Sequence, residues 1–190
     1  MKTHYESEVD YMKATGVVRR IDDLGRVVIP KEIRRNLRIR EGDSLEIYVD
    51  NAGDVILKKY SPIEDLSEFS QQYADALYLA IGKDIVICDR DIVVAATANL
   101  KKKYLNKKVS SQLEKYMNSR IAKVEKTNNE LEITEDNKEN NPYVIQPILS
   151  NGDCVGAVII MANENNKDLT DVDLSSARTA ASFIGKYLEA

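Results

Sequence analysis

The 190-residue sequence predicts two domains of different class: a small N-terminal unit of strands interrupted by one short helix, and an α+β domain with a central antiparallel sheet and flanking helices. Three features carry this reading. Apolar residues come in short alternating runs up to Lys59 and then fall three or four apart, the change from strand to helix periodicity. Ser61-Pro62-Ile63-Glu64 marks the join with an N-cap serine, a proline at the first helical position and a capping-box glutamate. Between Met12 and Lys59 there is one tyrosine and neither tryptophan nor phenylalanine, too little to complete a core alone. Size alone therefore predicts that this unit shares its core with a second copy.

Taken in order, residues 1–11 read as a flexible extension and residues 12–60 as the first domain. Thr15 to Ile21 predicts a strand, Asp22-Asp23-Leu24-Gly25 a turn and Arg26 to Ile29 a second strand. Pro30 opens a helix over Lys31 to Leu37, with Ile33 and Leu37 on its inward face and Arg34, Arg35 and Arg38 elsewhere. Leu45 to Val49 alternates, turns at Asp50-Asn51-Ala52-Gly53 and returns through Asp54 to Lys59.

Residues 61–190 form the second domain. A helix over 62–82 joins it to the first, with Ile63, Leu66, Phe69, Tyr73, Leu77 and Ile81 on one face and Gly82 at its end. Asp84 to Arg90 and Asp91 to Thr97 read as paired strands. Ser111-Gln112-Leu113-Glu114 is a capping box opening a helix through about Ala122. Strands are expected around Val124 and at Leu131 to Thr134, followed by a polar loop from Glu135 to Asn141. Tyr143 to Leu149 and Val155 to Ile160 flank the turn Ser150-Asn151-Gly152-Asp153. Thr170 to Asp173 cap a last helix with Leu174, Ala177, Ala181, Ile184 and Leu188 on one face.

The net charge of −4 argues weakly against nucleic acid until it is divided along the chain. Residues 13–40 carry nine basic groups, seven of them arginine, against three acidic ones, a net of +6. Residues 41–190 carry a net of −8. Arginine suits forked contacts with phosphates and base edges, so the basic segment is where a polyanion would bind. Chemistry of other kinds finds little to build on. One histidine, His4, supports neither a metal cluster nor a His-based triad. Cys88 and Cys154 lie apart in apolar runs and read as reduced core residues. Gly82, Gly152, Gly156 and Gly185 form no phosphate loop, and no carboxylate pair has acid–base spacing. No enzyme activity, cofactor or metal is expected. Tyr73, Leu77 and Ile81 read as core or helix contacts, and Tyr104 and Tyr143 as the residues that would line a pocket. The longest apolar run, Cys154 to Ala162, is far short of a membrane span, and no secretory pattern opens the chain, so the cytoplasm is the expected location.

The stretch from Met12 to Tyr60, above all ATGVVRRIDDLGRVVIPKEIRRNL, resembles the swapped-hairpin DNA-binding domain of AbrB-type bacterial transition-state regulators. The resemblance implies that two protomers interleave hairpins into one β-barrel whose arginines face double-stranded DNA. By motif position, the DNA-facing residues it implies are Arg19 in GVVRR, Arg26 in LGRVV, and Arg34 with Arg35 in EIRR. Arg20, Lys31 and Arg38 follow as weaker phosphate contacts. Asp22, Asp23 and Gly25 are assigned to the turn, where Asp22 could also orient a neighbouring arginine by a charge-assisted bond. The antitoxin branch of the superfamily has a looser pattern and usually a toxin-binding tail, which the second half here disfavours.

The second half resembles the GAF small-molecule-sensing fold in element order and in its P-I-L-S-N-G-D-x-V-G-A-V-I-I hairpin. The order of the two domains resembles a family of sporulation regulators of endospore-forming bacteria. That resemblance implies a forespore transcription regulator able to activate or repress. It also implies a homodimer through residues 12–60 and a homotetramer through the helices of the GAF-like domains. The alternative is a ligand-sensing regulator whose GAF pocket binds a small-molecule effector. An enclosed cavity of at least about 300 Å³ with convergent polar groups would favour that alternative, and a filled interior would favour assembly.

Overall fold

A computed structural model of the chain describes residues 15–63 and 66–189. The extension over residues 1–11 and the capping-box residue Glu64 lie outside them. The chain divides into two units, Met1–Asp43 and Ser44–Ala190.

In the first unit the expected turn forms, but the two expected strands beside it do not pair. Asp22 N donates to Arg26 O (3.1 Å) and Gly25 N to Asp22 O (3.0 Å), with Gly25 at φ +76°, a conformation that favours glycine. Beyond this closure neither Thr15–Ile21 nor Arg26–Ile29 has a ladder partner among the described residues. The reason is physical: a strand is a paired state, and within one copy the pairing stops at the bond that closes the turn. Val18 and Val28 accordingly stand 86% and 72% exposed. Helix α1 (Lys31–Asn36) starts after Pro30 as expected. Leu37 follows it at 60% exposure, so the inward face expected for Ile33 and Leu37 is not closed within one chain.

The second unit begins with the hairpin β1 (Leu45–Val49) and β2 (Val55–Lys59), paired from Leu45–Lys59 to Val49–Val55. The Asp50 carboxylate holds its turn by accepting from the backbone N–H groups of Ala52 (2.9 Å) and Asp54 (2.8 Å). Helix α2 (Ser67–Ile81) starts later than the capping motif predicts, with Leu66 at its N-cap. The Ser61 hydroxyl instead donates to the Asp89 carboxylate (2.6 Å), and Ile63 is fully buried. Burying an isoleucine stabilises by about 1.5–3 kcal/mol, against about 1 kcal/mol for an N-cap, so burial wins.

Five antiparallel strands follow in the order β4 (Val93–Ala96), β3 (Asp84–Asp89), β7 (Asp153–Met161), β6 (Asn137–Ser150) and β5 (Lys123–Thr134). Period-2 alternation sends Ile85, Ile87, Val158 and Ile160 to one face and Val86, Cys88, Ala157 and Ile159 to the other. The first face is covered by α2 and α5 (Asp171–Tyr187) through Ala74, Ala177, Ala180, Ala181 and Ile184. The second is covered by α3 (Ala98–Tyr104) and α4 (Ser111–Ser119) through Tyr104, Leu113 and Met117. This is the α+β arrangement expected.

Several local expectations are corrected. Helix α3 has no counterpart in the sequence reading. The N-cap of α4 is Ser110, whose hydroxyl accepts from Leu113 N (3.0 Å), rather than Ser111, and α4 stops at Ser119 rather than near Ala122. The strand candidates around Val124 and Leu131 are one strand with a register shift between Glu125 and Asn129. The polar segment after Glu135 is the start of β6: its backbone pairs with β5, Lys138 and Asn140 face water, and Glu139 turns to Lys103 and Tyr104. The caps of α2 and α5 at their other marked ends hold: Gly82 closes α2, and Thr170 with Asp173 forms a reciprocal capping box.

Candidate nucleic-acid interface

All seven basic residues singled out by sequence lie in the first unit. Arg19 and Arg20 precede the turn, Arg26 closes it, Lys31, Arg34 and Arg35 sit on α1, and Arg38 leaves α1 at φ +53°. Arg26 is tethered through both its backbone and its side chain. Asp22 accepts from Arg26 N (2.8 Å) and Leu24 N (3.1 Å) through Oδ1, and from Arg26 Nε (2.8 Å) through Oδ2. The Arg26 side chain is still 70% exposed, so the carboxylate aims it without covering it. The backbone and side-chain bonds from Arg26 hold the Asp22 carboxyl below its ordinary range.

Arg34 is half-buried, and its Nε donates to the Ile29 carbonyl (3.2 Å), which ties the helix to the chain entering it. Arg35, one residue on, is exposed, and among the described residues no side chain holds its guanidinium. Arg19 and Arg20 are exposed as well, Arg19 making a long bond (3.4 Å) to its neighbour's carbonyl. Arg38 N donates to the Arg35 carbonyl (3.3 Å), a backbone bond that leaves the two guanidinium groups apart. The segment is thus a row of separately mounted cations on a backbone with unpaired apolar side chains.

The two tyrosines expected to line a pocket lie in the core of the second unit: Tyr104 is fully buried and Tyr143 is 1% exposed. The Tyr104 hydroxyl donates to the Glu139 carboxylate, and burial, with that bond second, pushes the phenol far above its ordinary range. Leu113, Met117, Leu131 and Ile133 fill the same interior. Burial likewise pushes the Cys88 thiol up, so it stays un-ionised.

A feature that sequence reasoning missed lies across α2 and α5. Phe69 stacks on Tyr187 (5.1 Å between ring centroids) and Tyr73 on Phe183 (5.6 Å), with Phe69 and Phe183 5.9 Å apart. Phe183 and Tyr187 remain 46% and 51% exposed. Their spacing of four was the available signal, but it flanks the inward stripe of α5 rather than falling on it. A groove of ≈ 430 Å³ runs beside these rings, lined by Tyr73, Leu77, Val172, Ser175, Ser176 and Thr179.

Residues 65–189 match the family model described as stage V sporulation protein T C-terminal, transcription factor. Residues 18–65 match the one described as antidote-toxin recognition MazE, bacterial antitoxin. The chain is 50% identical over 179 residues to stage V sporulation protein T of Bacillus subtilis (strain 168), covering 94% of this chain and 99% of that protein. It is 53% identical over 73 residues to the transition state regulatory protein AbrB of the same organism, covering 38% of this chain and 75% of AbrB. The cyanobacteriochrome receptor PixJ shares the fold of the second half at 12% identity (TM-score 0.53, 68% of this chain and 98% of that one). Two-thirds of the chain matched by one model, and nearly its whole length by one relative, lead to one assignment. The chain belongs to the stage V sporulation protein T family, a family of transcription factors rather than enzymes.

Proposed function

We propose that residues 12–60 grip double-stranded DNA as a homodimer, with Arg19, Arg26, Arg34 and Arg35 as principal contacts and Arg20, Lys31 and Arg38 as further phosphate contacts. The observation that carries this is the row of exposed and half-buried cations on a unit whose apolar side chains Val18, Val28 and Leu37 stand open to solvent in one chain. A second copy would pair the unpaired strands and bury Val18, Val28 and Leu37, leaving the arginines outside. The 53% identity to AbrB over 73 residues supports the same reading. Two arginine sets on a twofold dimer reach phosphates and base edges without a recognition helix, so sequence choice rests partly on DNA shape.

Residues 61–190 would form the assembly domain. The aromatic rings across α2 and α5 present an apolar face for a helix–helix contact that brings two dimers into a tetramer. The packed interior beneath α3 and α4 favours assembly over a ligand-sensing role for that interior. The family assignment supports action on sporulation genes in the forespore, as activator at some promoters and repressor at others.

DNA-binding anisotropy on the full chain tests the proposal. With about six to eight phosphates engaged per dimer, log K against log salt has an expected slope near −5 to −7. The double variant Arg34→Ala/Arg35→Ala should bind far more weakly. A slope shallower than about −2, or an unimpaired double variant, would overturn the arginine grip.

A further inference from the structure

We infer that the lysine ribbon over residues 101–108 is a second, sequence-independent contact surface for DNA phosphates, a reading that rests on the DNA-binding proposal above. Residues 92–113 hold five lysines (Lys101, Lys102, Lys103, Lys107 and Lys108) and no acidic residue, inside a half whose net charge is −8. Such a segregation leaves a local cation field in an otherwise repulsive domain.

The backbone that carries these lysines is fixed. After α3 the chain turns with Lys107 N on the Tyr104 carbonyl (3.0 Å). It then lies beside residues 91–93, where the edge strand β4 begins. Asn106 N donates to Val93 O (2.9 Å), Val93 N to Lys107 O (3.0 Å) and Val109 N to Asp91 O (2.8 Å), and Lys108 bridges to Ile92. Two of the five charges are answered: Lys103 by Glu139 (2.6 Å) and Lys101, loosely, by Asp75 (3.9 Å). Among the described residues no carboxylate pairs with Lys102, Lys107 or Lys108. Lys102 on α3, and Lys107 and Lys108 beside the start of β4, thus carry three charges that no carboxylate answers among the described residues.

Their place in the unit selects the partner. Asp91, whose carbonyl receives Val109 N, uses its carboxylate to hold the Lys59 ammonium at the end of β2. The ribbon therefore lies at the end of the sheet where the hairpin of residues 45–59 is tied, and that hairpin belongs to the segment proposed to grip DNA. Lysines are point charges on long stems and read no base pattern, so the ribbon adds affinity and salt dependence rather than specificity.

Salt-dependent anisotropy on the full chain tests this with Lys102→Gln/Lys107→Gln/Lys108→Gln. Lys115→Gln/Lys126→Gln/Lys167→Gln, three exposed lysines elsewhere in the same half, serves as a control of equal charge. The ribbon variant should bind at least about tenfold more weakly at 0.1 M salt, with a slope shallower by about 2–3 per engaged chain. The control should match the unaltered protein. If the two variants behave alike while Arg34→Ala/Arg35→Ala still binds weakly, the ribbon proposal fails and the arginine grip stands. If the unaltered chain binds no duplex, both fail. A change in sedimented mass in the ribbon variant alone would place a second copy on the ribbon, and would overturn the DNA assignment.

Discussion

Asp22 shows how one residue can build a turn and aim a cation with the same carboxylate. Both oxygens are engaged, one by two backbone N–H groups and the other by Arg26 Nε. Asp22→Ala should therefore leave Arg26 in place but unaimed, lowering DNA affinity by about two- to tenfold, the scale of a lost orienting bond. Asp22→Ala/Arg26→Ala should add little to Arg26→Ala alone in anisotropy. Because the folded carboxyl lies below its unfolded value, the aimed state is intact above the ordinary carboxylate range and is lost as pH falls through the lowered one. The Arg26 Nε–H resonance followed down a pH titration should report that loss. That Asp22 could orient a neighbouring arginine was legible in sequence; that the arginine is Arg26 follows from the closure of the turn. The burial of Tyr104 was not, because its Glu139 partner is 35 residues away.

At the scale of elements, sequence reading succeeded where the deciding interaction is local and failed where it is not. The Thr170–Asp173 cap, the Asp50 turn and the Gly82 helix end are settled within a few residues. The Ser61 capping motif lost to Asp89 and to the burial of Ile63, both contacts across the sheet. Tight packing of that same corner yields a prediction. A Cβ added at Gly156 would come within 2.1 Å of the Cys88 carbonyl oxygen and 2.7 Å of Ile63 Cδ1. The first contact is backbone of the neighbouring strand and cannot swing away. Gly156→Ala should cost about 3 kcal/mol and lower Tm by about 10 °C, measured by thermal denaturation. Gly152→Ala offers a contrast, since its penalty would come from φ +83° in an open turn rather than from a clash.

For the whole molecule, the division of charge and the first unit's need of a second copy were readable from the sequence, while the exposed aromatic face across α2 and α5 was not, because exposure is a property of the folded chain. Phe183→Ala/Tyr187→Ala should leave each domain folded and halve the sedimented mass of a tetramer. Affinity for duplexes carrying two sites should then fall by about a hundredfold or more as avidity is lost, with single-site binding little changed. An unaltered mass would remove α2 and α5 from the assembly surface. One stretch of backbone bears on how such an assembly would move. Lys59 and Ser61 reach to Asp91 and Asp89, either side of Arg90 where β3 turns toward β4, while Tyr60 N is bonded to the Ser44 carbonyl between them (3.0 Å). Within the second unit the end of the hairpin is thus riveted to the turn between β3 and β4. The β1–β2 hairpin and the sheet beneath it are carried as one piece, so a rotation of the sheet would swing the hairpin like the arm of a crank.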